Sequence, residues 1–138
     1  MDCAADILTQ FADRPRTDLK PATEQADVLA QVSALFGTDM PEALVELYAR
    51  TAGGFVEVGE HDVWRVLGPR DILTAAADYG HDFVAHGKLP IADCGEHSML
   101  CYDVASGVYQ LYSVIDKIAW EKDPSLAGCL RKALPRAD

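Results

Sequence analysis

Three residues that can bind a metal or act as a nucleophile, Cys94, His97 and Cys101, fall within eight positions, with His86 and Asp93 close by. Zinc requires four ligands converging on a tetrahedron. The spacing here is C-x2-H-x3-C, whereas the usual knuckle is C-x2-C, and no second ligand pair follows downstream. The pattern therefore reads as core thiols, and no metal or cofactor is expected. Ser98, His97 and Asp103 supply the residue types of a hydrolytic triad. Adjacent residues at a strand end point to opposite faces, however, so His97 cannot readily serve Ser98, and there is no G-x-S-x-G. Pairing Cys101 with His61 or His81 is what any chain with four cysteines and four histidines allows by chance. Carboxylate pairs such as Asp78 and Asp82 read as a solvated helix face. Neither a P-loop nor G-x-G-x-x-G is present, so no phosphate cradle is visible. A small hydrolase or metal protein stands as the least favoured reading, and the chain is not expected to be an enzyme.

The elements that would position these residues follow from apolar periodicity. Asp2 to Asp13 can form a short helix with Cys3, Ile7, Leu8 and Phe11 on one side. Pro15 and Pro21 bracket a polar connector, Arg14 to Lys20. Val28, Leu29, Val32, Leu35 and Phe36 make an apolar stripe on a helix from Thr23 to Phe36, ended by Gly37. Pro41 opens the next helix, with Leu44, Leu47 and Tyr48 on one face, and Gly53-Gly54 is expected to stop it. The period then shortens. Phe55 to Val58 and Val63 to Leu67 read as strands, Asp71 to Tyr79 as a helix closed by Gly80. Leu89 to Cys94, Met99 to Val104 and Val108 to Ile115 read as a three-strand meander with short turns. A last helix is expected with Asp123 as N-cap and Pro124 at its first position. Gly128 inside that helix carries a penalty of about 1 kcal/mol relative to alanine. Strands are not each followed by a crossover helix. The fold class is thus α+β, with a mostly antiparallel sheet of about five strands and helices packed around it. Residues 1–21 form an N-terminal helix and connector, and 22–138 the α+β domain.

The chain has 138 residues, 49% of them apolar, enough for one self-sufficient core. No apolar run approaches the ~20 residues that span a bilayer. The N-terminus lacks the basic start of a secretory signal, so the cytosol is the expected compartment, and Cys3, Cys94, Cys101 and Cys129 are expected to be free thiols there. Twenty-two acids against twelve bases give a net charge of −10. Such a surface disfavours nucleic acid and anionic membranes and favours basic partners. From Asp71 to Asp116 seven acids face Lys88 as the single Lys or Arg, a net of −6. Glu57, Glu60 and Asp62 form a second cluster on the first hairpin, whereas the C-terminal helix carries Arg131, Lys132 and Arg136. A charge distribution of this kind steers cationic partners. Trp64, Trp120, Tyr102, Tyr109 and Tyr112 read as packing residues, and any of them exposed beside the acids becomes an interface anchor.

The order of signals resembles the SUKH superfamily, which includes fungal cell-wall-assembly regulators and bacterial toxin-immunity proteins. The residues that carry the resemblance are Met40-Pro41 opening a helix with Leu44, Leu47 and Tyr48, then Gly53-Gly54, Leu89-Pro90-Ile91-Ala92-Asp93-Cys94-Gly95 and Cys101-Tyr102-Asp103. Val114 and the Leu126/Leu130 helix complete it, over roughly residues 22 to 134. The stretch Ile118–Lys122 departs from the family's aromatic-rich entry to the last helix, with Trp120 available for that role. The resemblance implies an α+β domain with a protein-binding role and no catalytic residues to carry over. The expected partner is a protein, in the immunity reading a basic, nuclease-like toxin domain. Its contacts would be Glu57, Glu60, Asp62, Asp93, Glu96 and Asp103, and the chain itself a monomer or weak homodimer. A cytosolic scaffold that binds a resident protein is the alternative.

Overall fold

The computed structural model describes residues 26–58 and 63–134, and the backbone of 17–21. Among the described residues there are seven strands and four helices. In chain order they are β1 (Thr17–Pro21), α1 (Ala26–Phe36), α2 (Glu42–Tyr48), β2 (Thr51–Glu57), β3 (Val63–Val66), α3 (Pro69–Tyr79), β4 (Lys88–Gly95), β5 (Ser98–Asp103), β6 (Val108–Ser113), β7 (Ala119–Asp123) and α4 (Leu126–Ala133). The strands form one sheet in sequential order, every neighbouring pair antiparallel. The α+β class and the meander therefore stand, enlarged from about five strands to seven.

The two added strands are the edges. Thr17–Pro21 lies in what reads as a polar connector, yet it pairs with β2 from Thr17 opposite Val56 to Pro21 opposite Thr51. The second, AWEKD, has three charged residues in five and is mostly exposed. An edge strand needs only one ladder and little burial, so its apolar alternation is weak. The helix expected over Asp2–Asp13 lies outside the described residues.

The ends of α2 and α4 also differ from expectation. Gly53 and Gly54 do not stop α2, which ends at Tyr48 with Ala49 as its cap. They sit inside β2, at φ +97° and +148°. A Cβ on Gly53 would come within 2.5 Å of the Val66 carbonyl oxygen and 2.7 Å of the Gly68 nitrogen. The glycine thus allows close approach of β2 to the end of β3. Helix α4 is capped by Ser125, whose Oγ accepts from the Gly128 N–H at 3.0 Å. Asp123 is the last residue of β7 instead, and its carboxylate accepts from the Ser125 N–H at 2.9 Å. In α3, Pro69 takes the first position and the Asp71 carboxylate accepts the Gly68 N–H at 3.0 Å, so this helix begins two residues before the alanine-rich run suggests.

The centre of the sheet is covered on both faces. Met99, Leu100 and Cys101 follow one another in β5 and none is more than 1% exposed. Successive strand residues point to opposite faces, so both are dry here. One cross-strand row runs Val66, Ala92, Leu100 and Leu111. From the helices, Val32, Phe36, Leu44, Leu47, Tyr48, Ile72, Leu126 and Leu130 join the same core. The Tyr48 hydroxyl donates to the Leu67 carbonyl at 2.7 Å, tying α2 to the end of β3.

Candidate protein-binding surface

The register decides which acids meet. Glu57 pairs with Val63, Arg65 with Asp93, and Gly95 with Ser98. The β2–β3 hairpin and the β4–β5 turn therefore project from the same end of the sheet. The β6–β7 turn joins them, because Ser98 pairs with Ser113 and the Val114 N–H donates to the His97 carbonyl at 3.0 Å. Glu57, Asp93 and Glu96 thus lie at or near one end, here termed the turn end. Asp103 does not. It pairs with Lys88, four residues along β5 from the Met99 that faces Asp93, and lies about 13 Å away at ~3.3 Å per residue. Glu60 and Asp62 lie outside the described residues.

These carboxylates differ in what holds them. Asp103 accepts from Lys88 Nζ at 3.0 Å and from Ser106 Oγ at 2.5 Å, in an ion pair whose side chains are only 17% and 16% exposed. Burial pushes its carboxyl up, but the Ser106 and Lys88 hydrogen bonds outweigh this and leave it below the usual carboxylate range. Lys88 also donates to Gln110 Oε1 at 2.8 Å. Asp103 is therefore engaged inside the protein. Asp93 accepts from the Gly95 N–H at 2.9 Å, shaping the turn that carries Glu96. Glu96 is exposed and, with His97, occupies the left-handed region at φ +51° and +66°. Two consecutive residues at positive φ make the tight hairpin connection that normally favours Asn-Gly.

The thiols and histidines of the zinc and hydrolase readings occupy different surroundings. Cys101 is fully buried opposite Pro90, whereas Cys94 lies where the register shifts between Asp93 and Gly95. Burial raises both thiols well above their ordinary value. His97 is exposed on the turn. Among the described residues no three His, Cys, Asp or Glu side chains are grouped to hold a metal. Ser98 and Asp103 stand at opposite ends of β5, which leaves no triad. His81 is buried with Nε2 3.1 Å from the Tyr112 hydroxyl, and its ring lies 4.6 Å from that of His86. His61 lies outside the described residues.

Among the aromatics, Trp64, Tyr109 and Tyr112 are buried, Tyr102 is half-buried and Trp120 is 37% exposed. Sequence reading missed Ile115 and Ile118, exposed by 61% and 60% on the β6–β7 turn. Ile115 follows Val114 directly after β6 and so reads as a strand residue, yet the ladder stops at Ser113. The adjacent Asp116-Lys117 pair is the signal for a turn there. Among the described residues no helix is long and apolar enough to cross a membrane.

The model of the SMI1/KNR4 family (SUKH-1) matches residues 21–125. The chain belongs to this family. The match runs from the last residue of β1 to the N-cap of α4, and so spans the sheet whose register gathers the turn-end acids. No curated protein matches the chain.

Proposed function

We propose that this SUKH-1 domain is a non-catalytic protein-binding module of the cytosol that neutralises a basic toxin domain by covering it with the turn end of its sheet. The observation that carries the reading is the gathering of Glu57, Asp93 and Glu96 at one end of a chain of net charge −10. Family membership supports a protein partner. Long-range attraction would steer a cationic partner onto this end, and contact would then exclude the partner's own substrate. The separation of Ser98 from Asp103 and the burial of Cys101 support the non-catalytic part. Asp103, held by Lys88, acts in the fold, so the contact set contracts to the turn end.

Affinity capture with tagged protein from its own cells, washed at low and at high salt and read by mass spectrometry, tests this. One basic protein retained at low salt and released near 1 M salt, where the screening length falls to ~3 Å, is the expected result. Replacing Glu96→Lys, an exposed turn residue, should weaken that capture several-fold while the melting temperature holds. A neutral resident protein retained regardless of salt would replace the toxin reading with a regulatory scaffold.

A further inference from the structure

The β6–β7 corner carries exposed apolar residues close to the acidic turn end. Ile115 and Ile118 are the two most exposed large hydrophobic residues described, at 61% and 60%. Trp120, 37% exposed, pairs with Leu111 and Ala119 with Tyr112, and the Ser113 N–H bond to the Ile118 carbonyl carries this register one step further, so Ile118 and Trp120 keep the period of two. Single exposed apolar residues are ordinary, but a contiguous set rimmed by polar groups marks an interaction surface. Here the rim is acidic. Asp116 sits between the two isoleucines, and exposed Glu96 is joined through its turn by the Val114–His97 backbone bond. Lys117 is the single cation of the 113–118 turn.

The corner is built to hold its shape. The Ser113 N–H donates to the Ile118 carbonyl at 2.9 Å and the Lys117 N–H to the Ser113 carbonyl at 2.8 Å. The Asp116 N–H donates to Ser113 Oγ at 3.1 Å. Branched side chains on a fixed turn lose little freedom on binding, so this display favours affinity.

We propose that Ile115, Ile118 and Trp120 form the apolar centre of a docking surface whose occupant is a basic protein segment carrying an apolar side chain between Lys or Arg residues. The surface extends the protein-binding reading above and rests on it. Charge complementarity selects this occupant. A second copy of the chain would bring another net −10 against the same acidic rim, whereas a cationic segment pairs with Glu96 and Asp116 while its apolar residue covers the isoleucines.

The test uses cyclic peptides selected on the full-length protein from a random phage-displayed library, so that no natural partner need be known. Enriched peptides should combine Lys or Arg with a large apolar residue. The double change Ile115→Ser and Ile118→Ser should weaken them about tenfold or more without lowering the melting temperature, since both side chains are already in water. Glu96→Lys with Asp116→Lys should weaken them comparably, and more at low salt than at high. Peptides that bind the serine variant as tightly as the original would overturn the docking surface while leaving protein binding intact. Failure to enrich any peptide would count against both. Concentration-dependent dimers in sedimentation, abolished by the serine pair, would assign the patch to self-association and overturn the basic occupant.

Discussion

At the scale of single residues, the carboxylates divide by whether their charge is used within the protein. Asp123 is the clearest internal case. It accepts from the Ser125 N–H and Oγ and pairs with Lys132 Nζ at 3.1 Å. The Ser125 backbone bond and then Lys132 hold its pKa down to about 2, against 3.8 unperturbed. A carboxyl whose pKa is depressed in the folded state stabilises the fold above the unfolded value, and that contribution fades as pH falls from about 4 towards 2. Asp123→Asn should therefore lower the melting temperature at pH 7 and flatten its decline between pH 4 and pH 2. Parallel acid profiles for the two proteins would remove Asp123 as the cause. His81 behaves as a buried base. Burial first, then His86 and Lys117, lower its pKa below 6.5. Its neutral form is favoured in the fold, so stability falls as pH drops below about 6.5 towards the folded value. His81→Gln should flatten the thermal profile in that window, and an unchanged slope would count against the assignment.

At the scale of elements, the entry to α4 shows how a local rule is reversed by its surroundings. Intrinsic propensity says that Gly128→Ala should stabilise a helix by about 1 kcal/mol. Here a Cβ at position 128 would collide with the Asp123 carboxylate. The same carboxylate holds Ser125, so it cannot move aside without loosening the cap. Gly128→Ala should therefore lower the melting temperature, and a rise would show that the carboxylate yields. Ser125→Ala should cost about 1 kcal/mol in chemical denaturation, through loss of the Oγ acceptor for Gly128. At the edge of the sheet, Cys129 Sγ and Lys132 Nζ donate to the Glu121 and Lys122 carbonyls at 3.3 and 2.6 Å. Glu121 itself sits at φ +54° where the register shifts. Helix contacts and a bulge thus blunt β7 as a template for a further strand, which directs the search for partners to the turn end.

At the scale of the whole molecule, stability and recognition draw on different regions. The sheet centre, dry on both faces, carries the fold. Leu100, fully buried in the Val66–Ala92–Leu100–Leu111 row, should cost 2–5 kcal/mol when truncated to alanine. Urea unfolding measures this directly, and a loss below about 1 kcal/mol would place the core elsewhere. The turn end carries exposed acids and isoleucines whose replacement leaves that core untouched. Polar-for-apolar changes there should alter binding without altering unfolding, the behaviour expected of a rigid scaffold that presents its contacts on connecting turns.

Much of this is legible in the sequence. The stripe Val28–Val32–Phe36, the opening of α2 at Pro41 and the apolar run Met99–Cys101 depend on nearest neighbours along the chain, where local pattern speaks directly to burial. The order of Met40-Pro41, Gly53-Gly54 and Cys101-Tyr102-Asp103 was enough to suggest the family. Net charge, too, is a property of composition. Which charges meet is not. Asp93 and Asp103 are ten residues apart in sequence, yet antiparallel pairing keeps one with Glu96 at the turn end and sends the other to Lys88. The glycines at 53 and 128 answer to atoms from other elements, Val66 and Gly68 in one case and Asp123 in the other. The edge strands owe their existence to a single neighbour each, so their own alternation says little. Local sequence determined the elements and their solvent preference, whereas register between strands, set by packing across the sheet, decided which side chains share a surface.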